Sequence, residues 1–272
     1  MSLAPTLDTA STATPSNAAP STTAPPIIRT LTPADVVAAL RAGLADFALM
    51  PTYLILLTLI YPAVGLIAAR VAQGNDVVPL IFPLISGFAL VGPLAAVGLY
   101  ELSRRREAGL DTSWTHVFDV LHAKSLGTIV GLAVILTVLF VAWLGSALAI
   151  QRWAMGPGSM GDLSTFIGTV FGTTGGIKLI VVGNLVGFGF AAVTLAIAAF
   201  SFPLALDRAV SLPTAILTSV RVTVTNPATM ALWGLVVVGG LMLGALPAFV
   251  GLAVVMPILG HATWHLYRRA VG

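Results

Sequence analysis

Six stretches of about twenty mostly apolar residues, near 49–70, 78–101, 126–150, 178–204, 228–246 and 247–267, leave this chain little with which to face water. Roughly 20 apolar residues in a helix rise about 30 Å, the thickness of a bilayer's hydrocarbon core. Charged residues make up 8% of the chain and the mean hydropathy is +1.00, whereas a soluble domain carries about 25% charged residues. A lipid bilayer is therefore the expected solvent. Since a helix satisfies its own backbone groups there, the expected fold is an all-α polytopic membrane bundle of six transmembrane helices. The fifth and sixth windows adjoin without a polar loop. As one helix of 40 residues they would be about 60 Å long, twice the membrane thickness. The chain must fold back, and Gly244–Pro247 is where its backbone can turn.

An internal repeat organises these spans. Leu40-Arg41, Leu121-His122 and Val220-Arg221 each close a short amphipathic stretch, and Pro33, Trp114 and Pro213 stand seven residues before the apolar member. The period of roughly 80 to 100 residues describes three pseudo-repeated hairpins. Each opens with an amphipathic elbow helix on the cytoplasmic face, too short to span and too amphipathic for a loop. In the first, Thr32 is the expected N-cap, Pro33 suits the first turn and Asp35 complements the helix dipole. Val36, Val37, Leu40 and Leu44 share one side of it. Ser113 caps the second, with Trp114, Phe118 and Leu121 on one side, and Ile216, Val220 and Val224 follow Pro213 in the third. A further surface-lying stretch is expected on the other side of the membrane, around Leu163–Phe171.

Of the 13 Lys and Arg, only Arg70, Arg152 and Lys178 fall on one side of these spans, and the other ten share the side of the two termini. The positive-inside rule then puts both termini in the cytoplasm. The strong preference for Arg over Lys, with abundant Ala, Gly, Val and Leu, points to a bacterial source and so to the inner membrane. Residues 1–30 are a different material: Met1–Pro26 is almost wholly Ser, Thr, Ala and Pro, has no Lys or Arg, and lacks the charged and apolar regions of a signal peptide. Such a tail is expected to be disordered, leaving 31–272 as the integral membrane domain.

Small residues four apart, Gly127/Gly131, Gly183/Gly187 and Gly240/Gly244, mark expected close helix contacts. Pro62, Pro93 and Pro257 are expected to kink their spans. With no cysteine in the chain, disulfides, thiolate metal sites and thiol catalysis are excluded. The basic residues cluster at span ends and form no stripe, so the pI near 9.7 does not indicate nucleic acid. No phosphate loop, Ser-His-Asp order or zinc-protease helix is present. No Asp, Glu, Lys or Arg stands mid-span, as ion-coupled transport generally requires.

Pro93 is followed by Tyr100, Glu101, Leu102, Arg104 and Arg105, and Pro257 at the same offsets by Trp264, His265, Leu266, Arg268 and Arg269. These read as twin interface anchors, with Tyr100, Trp264 and Tyr267 at headgroup depth and Arg104, Arg105, Arg106, Arg268 and Arg269 beyond them on lipid phosphates. The runs Gly87-Phe88-Ala89-Leu90-Val91-Gly92-Pro93 and Gly98-Leu99-Tyr100-Glu101-Leu102-Ser103-Arg104-Arg105-Arg106-Glu107-Ala108-Gly109, with Gly260-His261-Ala262-Thr263-Trp264-His265-Leu266-Tyr267-Arg268 near the end, resemble an uncharacterised bacterial integral-membrane family. The resemblance extends from about residue 35 to the C-terminus. Some members of that family carry the label of a cytochrome c oxidase subunit. A haem-copper catalytic subunit needs about six buried histidines, however, and this chain has four in all, so the resemblance implies at most an accessory or assembly role beside such a complex.

The best candidate constellation is His261 and His265, one helical turn apart, with Glu101 at the matching place in the second span. Two imidazoles and a carboxylate suit an open iron, zinc or manganese site, or haem. The plainer alternative is an ion pair of Glu101 with His265 or a nearby Arg, and no cofactor. Asn184 is the candidate for a solute path; Ser86, Ser146, Thr194 and Ser201 are expected to bond their own helices. The leading functional expectation is a structural, accessory or assembly subunit with lipid and other membrane subunits as partners. The alternatives are a passive channel or small-solute transporter, and a metal or haem protein.

Overall fold

The computed structural model of the chain describes residues 26–50, 83, 92–156, 163–246 and 250–272. The tail through residue 25, the first expected span beyond Met50, most of the second, Pro62, Arg70, Ser86 and Pro247 lie outside the described residues. The helices are α1 (Pro33–Leu49), α2 (Val97–Glu107), a 3-10 helix (Trp114–His122), α3 (Leu126–Met155), α4 (Leu163–Gly172), α5 (Thr174–Ala198), α6 (Ser201–Arg208), α7 (Leu212–Thr225), α8 (Pro227–Ala245) and α9 (Leu252–Ala270). Among the described residues the only extended pairing is a single antiparallel bridge between Ile28 and Val271. Three helical runs are long and apolar enough to cross a membrane: α3, α5 continuing into α6, and α8. α9 also has 19 residues, but His261, His265, Arg268 and Arg269 occupy its second half.

Local chemistry sets the helix ends. α1 begins where the sequence indicates, with the Thr32 amide and hydroxyl both donating to Asp35 Oδ2 at 2.8 and 2.7 Å. The second elbow is a 3-10 helix. Its three-residue turn stacks Val117 and Val120 toward α2 and leaves Phe118 and Leu121 outside. Between α5 and α6 the chain turns at Ala199–Phe200, because Pro203 has no N–H to offer the Ala199 carbonyl. The Phe200 amide donates to Ser219 Oγ at 3.2 Å instead, and the Ser201 hydroxyl to the Ala215 carbonyl at 3.1 Å. α8 and α9 fold back on one another at Gly244 and Gly251. A Cβ on Gly251 would lie 2.8 Å from the Gly244 carbonyl oxygen, so only glycine permits that approach. Pro257 sits inside α9 without ending it.

The core gathers at the end of the molecule that holds the C-terminus. α2, α6 and α9 each touch the other two there, and each carries one amphipathic helix on its flank: the 3-10 helix on α2, α7 on α6, and α1 on α9. Tyr100, Phe200, Phe202, Trp264 and Tyr267 are the large side chains filling this hub. α1 runs antiparallel to α9, with Asp35 beside Arg269 at one end and Gly43 against Ile258 and Ala262 further along. A Cβ on Gly43 would stand 2.6 Å from the Ala262 nitrogen and 2.7 Å from the Ile258 oxygen, so backbone meets backbone there. The buried stripe of α1 is Val36, Ala39, Gly43 and Asp46, one position round from the expected apolar side; Val37 and Leu44 face outward.

The segment before α1 is tied to the end of the chain. Arg29 N donates to the Ala270 carbonyl and Gly272 N to that of Ile27, each at 2.9 Å. Asn226 Oδ1 accepts from Leu31 N at 2.6 Å, and the Thr229 hydroxyl donates to the Leu31 carbonyl at 2.9 Å. Residues 27–31 and 270–272 therefore lie on the same side of any membrane the bundle crosses. Away from the hub the packing is sparse. Trp143 of α3 packs tilted against Phe190 of α5 with ring centroids 5.8 Å apart, lies over Gly187 and donates to the Pro83 carbonyl at 3.0 Å. Gly240 and Gly244 meet α9 and Gly131 meets Leu212, while Gly127 and Gly183 face open space.

Candidate functional site

Where α1, α2 and α9 meet, a polar network is buried under an otherwise apolar hub. Its centre is Asp46, 1% exposed. Asp46 Oδ2 accepts from the Ser103 hydroxyl and lies 2.9 Å from His265 Nε2, while Arg106 engages Oδ1. Ser103 Oγ is also 2.8 Å from Nδ1 of the fully buried His261. Since the serine proton goes to Asp46, His261 supplies its own Nδ1–H to Ser103 Oγ. Burial pushes the Asp46 carboxyl up, but hydrogen bonds from His265 and Ser103, helped by the charges of both histidines, outweigh it and hold the carboxyl below its ordinary value. A cavity of about 300 Å³ opens beside the network, lined by Asp46, Ser103, Arg106, Glu107 and His265 among others.

The expected constellation is thus only partly assembled. His261 and His265 converge on Asp46, whereas Glu101 turns away. Its two carboxylate oxygens take Arg104 Nε and Nη2 at 2.7 Å each, with Arg105 Nη1 at 3.9 Å. The ion pair with a neighbouring arginine, the plainer alternative, is the geometry found for Glu101. The donor set around Asp46 suits a cation poorly, because the Arg106 guanidinium already neutralises that carboxylate. Among the described residues no group of three His, Cys, Asp or Glu is arranged to hold a metal ion. The order of the chain, histidine to serine to aspartate, also differs from a nucleophilic triad, in which the imidazole takes the serine proton.

The residues read as interface anchors have protein partners in the structure. Tyr100, Trp264 and Tyr267, read as rings at headgroup depth, are 2%, 0% and 0% exposed and form the hub core. The Tyr267 hydroxyl donates to Asp207 Oδ2 at 2.7 Å. The five arginines read as phosphate ligands are paired within the protein. Arg104 holds Glu101, Arg106 holds Asp46, and Arg105 holds Asp119 at 3.0 Å. Arg268 bridges Glu107 and Asp207 at 3.1 and 3.2 Å, and Arg269 reaches Asp35 at 3.0 Å. The carboxylates that claim them come from other helices or from the adjacent turn, and burial of the ring faces follows from α2, α6 and α9 packing end to end. Asn184 stands on an exposed face of α5 with its amide donating to the Ile180 carbonyl at 2.7 Å. Ser146 and Ser201 likewise bond the carbonyls four residues back.

Asp46, Ser103, Glu107 and Asp207 were not singled out from sequence. One signal pointed to Asp46: Val36, Ala39, Gly43 and Asp46 follow a 3-4-3 spacing, so the acid ends a stripe of small residues of the kind that lets helices pack closely.

Span-length apolar helices gathered on a buried hub define an integral membrane helix bundle. Residues 81–207 match the sequence model of the family described as "Predicted integral membrane protein (DUF2189)". The resemblance drawn from the motifs around Pro93 and Arg104–Arg106 is to the same uncharacterised family. No curated protein and no solved structure matches the chain.

Proposed function

We propose that this protein is a structural or accessory subunit of a larger inner-membrane complex, built as three hairpins of six transmembrane helices with both termini in the cytoplasm. The observation that carries this reading is α5. It is long enough to span, yet only 6% of its most apolar window is buried, and Ile177, Val181, Leu185, Phe188 and Val193 all stand outward. Thr137 and Ser146 of α3 and Asn184 of α5, polar side chains along these spans, each bond a carbonyl four residues earlier on their own helix. A span held by so few internal contacts offers its flank to lipid or to a helix of another subunit. The three-hairpin reading draws support from the hub, where each elbow packs on the end of a span and α1 closes the ring on α9.

The test is site-specific photo-crosslinking from Leu185 and Phe188 in native membranes, followed by native gels and mass spectrometry. One reproducible membrane-protein adduct, with co-migration on the gel, is the expected result, and a respiratory-complex subunit is the partner class the family label suggests. Crosslinks to lipid alone and migration as a lone species would overturn the subunit reading. Reporter fusions after residue 30 and after Gly272 test the topology, and periplasmic activity from either would refute it.

A further inference from the structure

The seven acidic residues among the described ones, Asp35, Asp46, Glu101, Glu107, Asp111, Asp119 and Asp207, are each engaged by a basic or histidine side chain at the hub end. They consume Arg104, Arg105, Arg106, Arg208, Arg268 and Arg269. Four exposed cations at that end have no carboxylate partner among the described residues, Arg29 beside the C-terminus and three at the amphipathic helices: Arg41 on α1, Lys124 just after the 3-10 helix, and Arg221 on α7. These last three each accompany exposed apolar side chains. Val37, Arg41 and Leu44 follow one another at spacings of four and three along α1, and Leu217, Arg221 and Val224 repeat those spacings along α7, so each set shares one helix face. On the 3-10 helix, Phe118 and Leu121 are three apart, hence stacked, and Lys124 stands exposed in the turn two residues past its end. Counted from the repeated Leu40, Leu121 and Val220, the residues Val37, Phe118 and Leu217 occupy one register position, and they are 47%, 54% and 55% exposed.

We infer that these three faces are binding sites for anionic phospholipid, each seating one headgroup phosphate on its free cation while the apolar neighbours enter the upper acyl layer. Charge complementarity selects the occupant. A neutral lipid or an apolar protein flank would leave three cations unanswered beside apolar surface, whereas an anionic headgroup above acyl chain answers both. Arg104–Arg106, the most basic run of the sequence, take no part, because their charges are spent inside the protein.

The chain has no cysteine, so single spin labels at Val37→Cys, Phe118→Cys and Leu217→Cys can be introduced into the full-length protein without further change. In liposomes of phosphatidylglycerol and phosphatidylcholine, all three labels are expected to collide with oxygen more than with a nickel chelate, at shallow depth. Labels open to the chelate would overturn the proposal. Native mass spectrometry of R41Q/K124Q/R221Q should show retained phosphatidylglycerol falling by about fivefold per cation removed. R152Q/K178Q, which removes cations of the opposite end, should retain it unchanged. Undiminished retention in the triple variant refutes the assignment, as does equal loss in the control pair. Displacement of the lipid by millimolar inorganic phosphate would identify a free-anion site instead.

Discussion

At the hub, aromatic rings, a buried carboxylate and two histidines are packed among six helices, and backbones touch at Gly43. Along most of α5, apolar side chains stand outward and Gly183 faces open space. The difference follows from the solvent each region meets. In a bilayer, apolar surface gains nothing by leaving lipid, so spans need few mutual contacts and hold together where small residues or indole rings interlock. At the polar boundary the ordinary rules return. Span ends gain by burying rings against one another, and each charge must find a partner or reach water. Stability should therefore be concentrated at one end of the molecule.

The largest test of that contrast is Gly43→Val. Its side chain has nowhere to go but into the α9 backbone, and a loss of more than about 3 kcal/mol is expected. The check is thermal unfolding in detergent, together with proteolysis of the α1 segment; an unshifted transition would mean that α1 is not seated on α9. Next comes Asp46→Ala, which strands His265 and Arg106. Because Arg106 keeps partial contact with water, the cost should be about 2–3 kcal/mol, less than for a fully buried pair. The same residue gives a pH signature. A carboxyl held below its ordinary value in the folded protein stabilises above that value, near 4 for a free aspartate, and the contribution fades as pH falls through the lower, folded value. The melting temperature should drop on acidification below about pH 4, and Asp46→Asn should flatten that drop. Tyr267→Phe, which leaves Asp207 one donor short, is expected to cost about 1–2 kcal/mol by the same assay. Smallest of all should be Leu185→Ala on α5, within about 0.5 kcal/mol. A large effect there would place α5 inside a packed interface and erase the contrast.

Much of the architecture was legible in the sequence because it is local. Thr32, Pro33 and Asp35 announce a helix start within four residues, and the lengths of α3, α5 and α8 follow from uninterrupted apolar runs. What could not be read is what those segments meet. An aromatic residue followed by two arginines looks the same at a lipid surface and in a helix end packed on its neighbours, and only the second describes Tyr100 and Trp264. Nothing near Asp46 in the chain reveals its network, because Ser103 and His265 lie 57 and 219 residues away. Glu101 and His265 share a place in the repeat, yet Arg104, three residues on, reaches Glu101 first.

The stitching of residues 27–31 to the last helix has a consequence for how the protein is made. α1 leaves the ribosome before any other described helix and its partner α9 after all of them, so the hub cannot close until the chain through α9 has been delivered to the bilayer. Throughout that interval Asp46 must wait in contact with water, and the α1 surface around Gly43 stays bare. Biogenesis therefore contains a late docking step, and a nascent chain stalled before α9 would present that bare surface to whatever insertase or protease stands nearby.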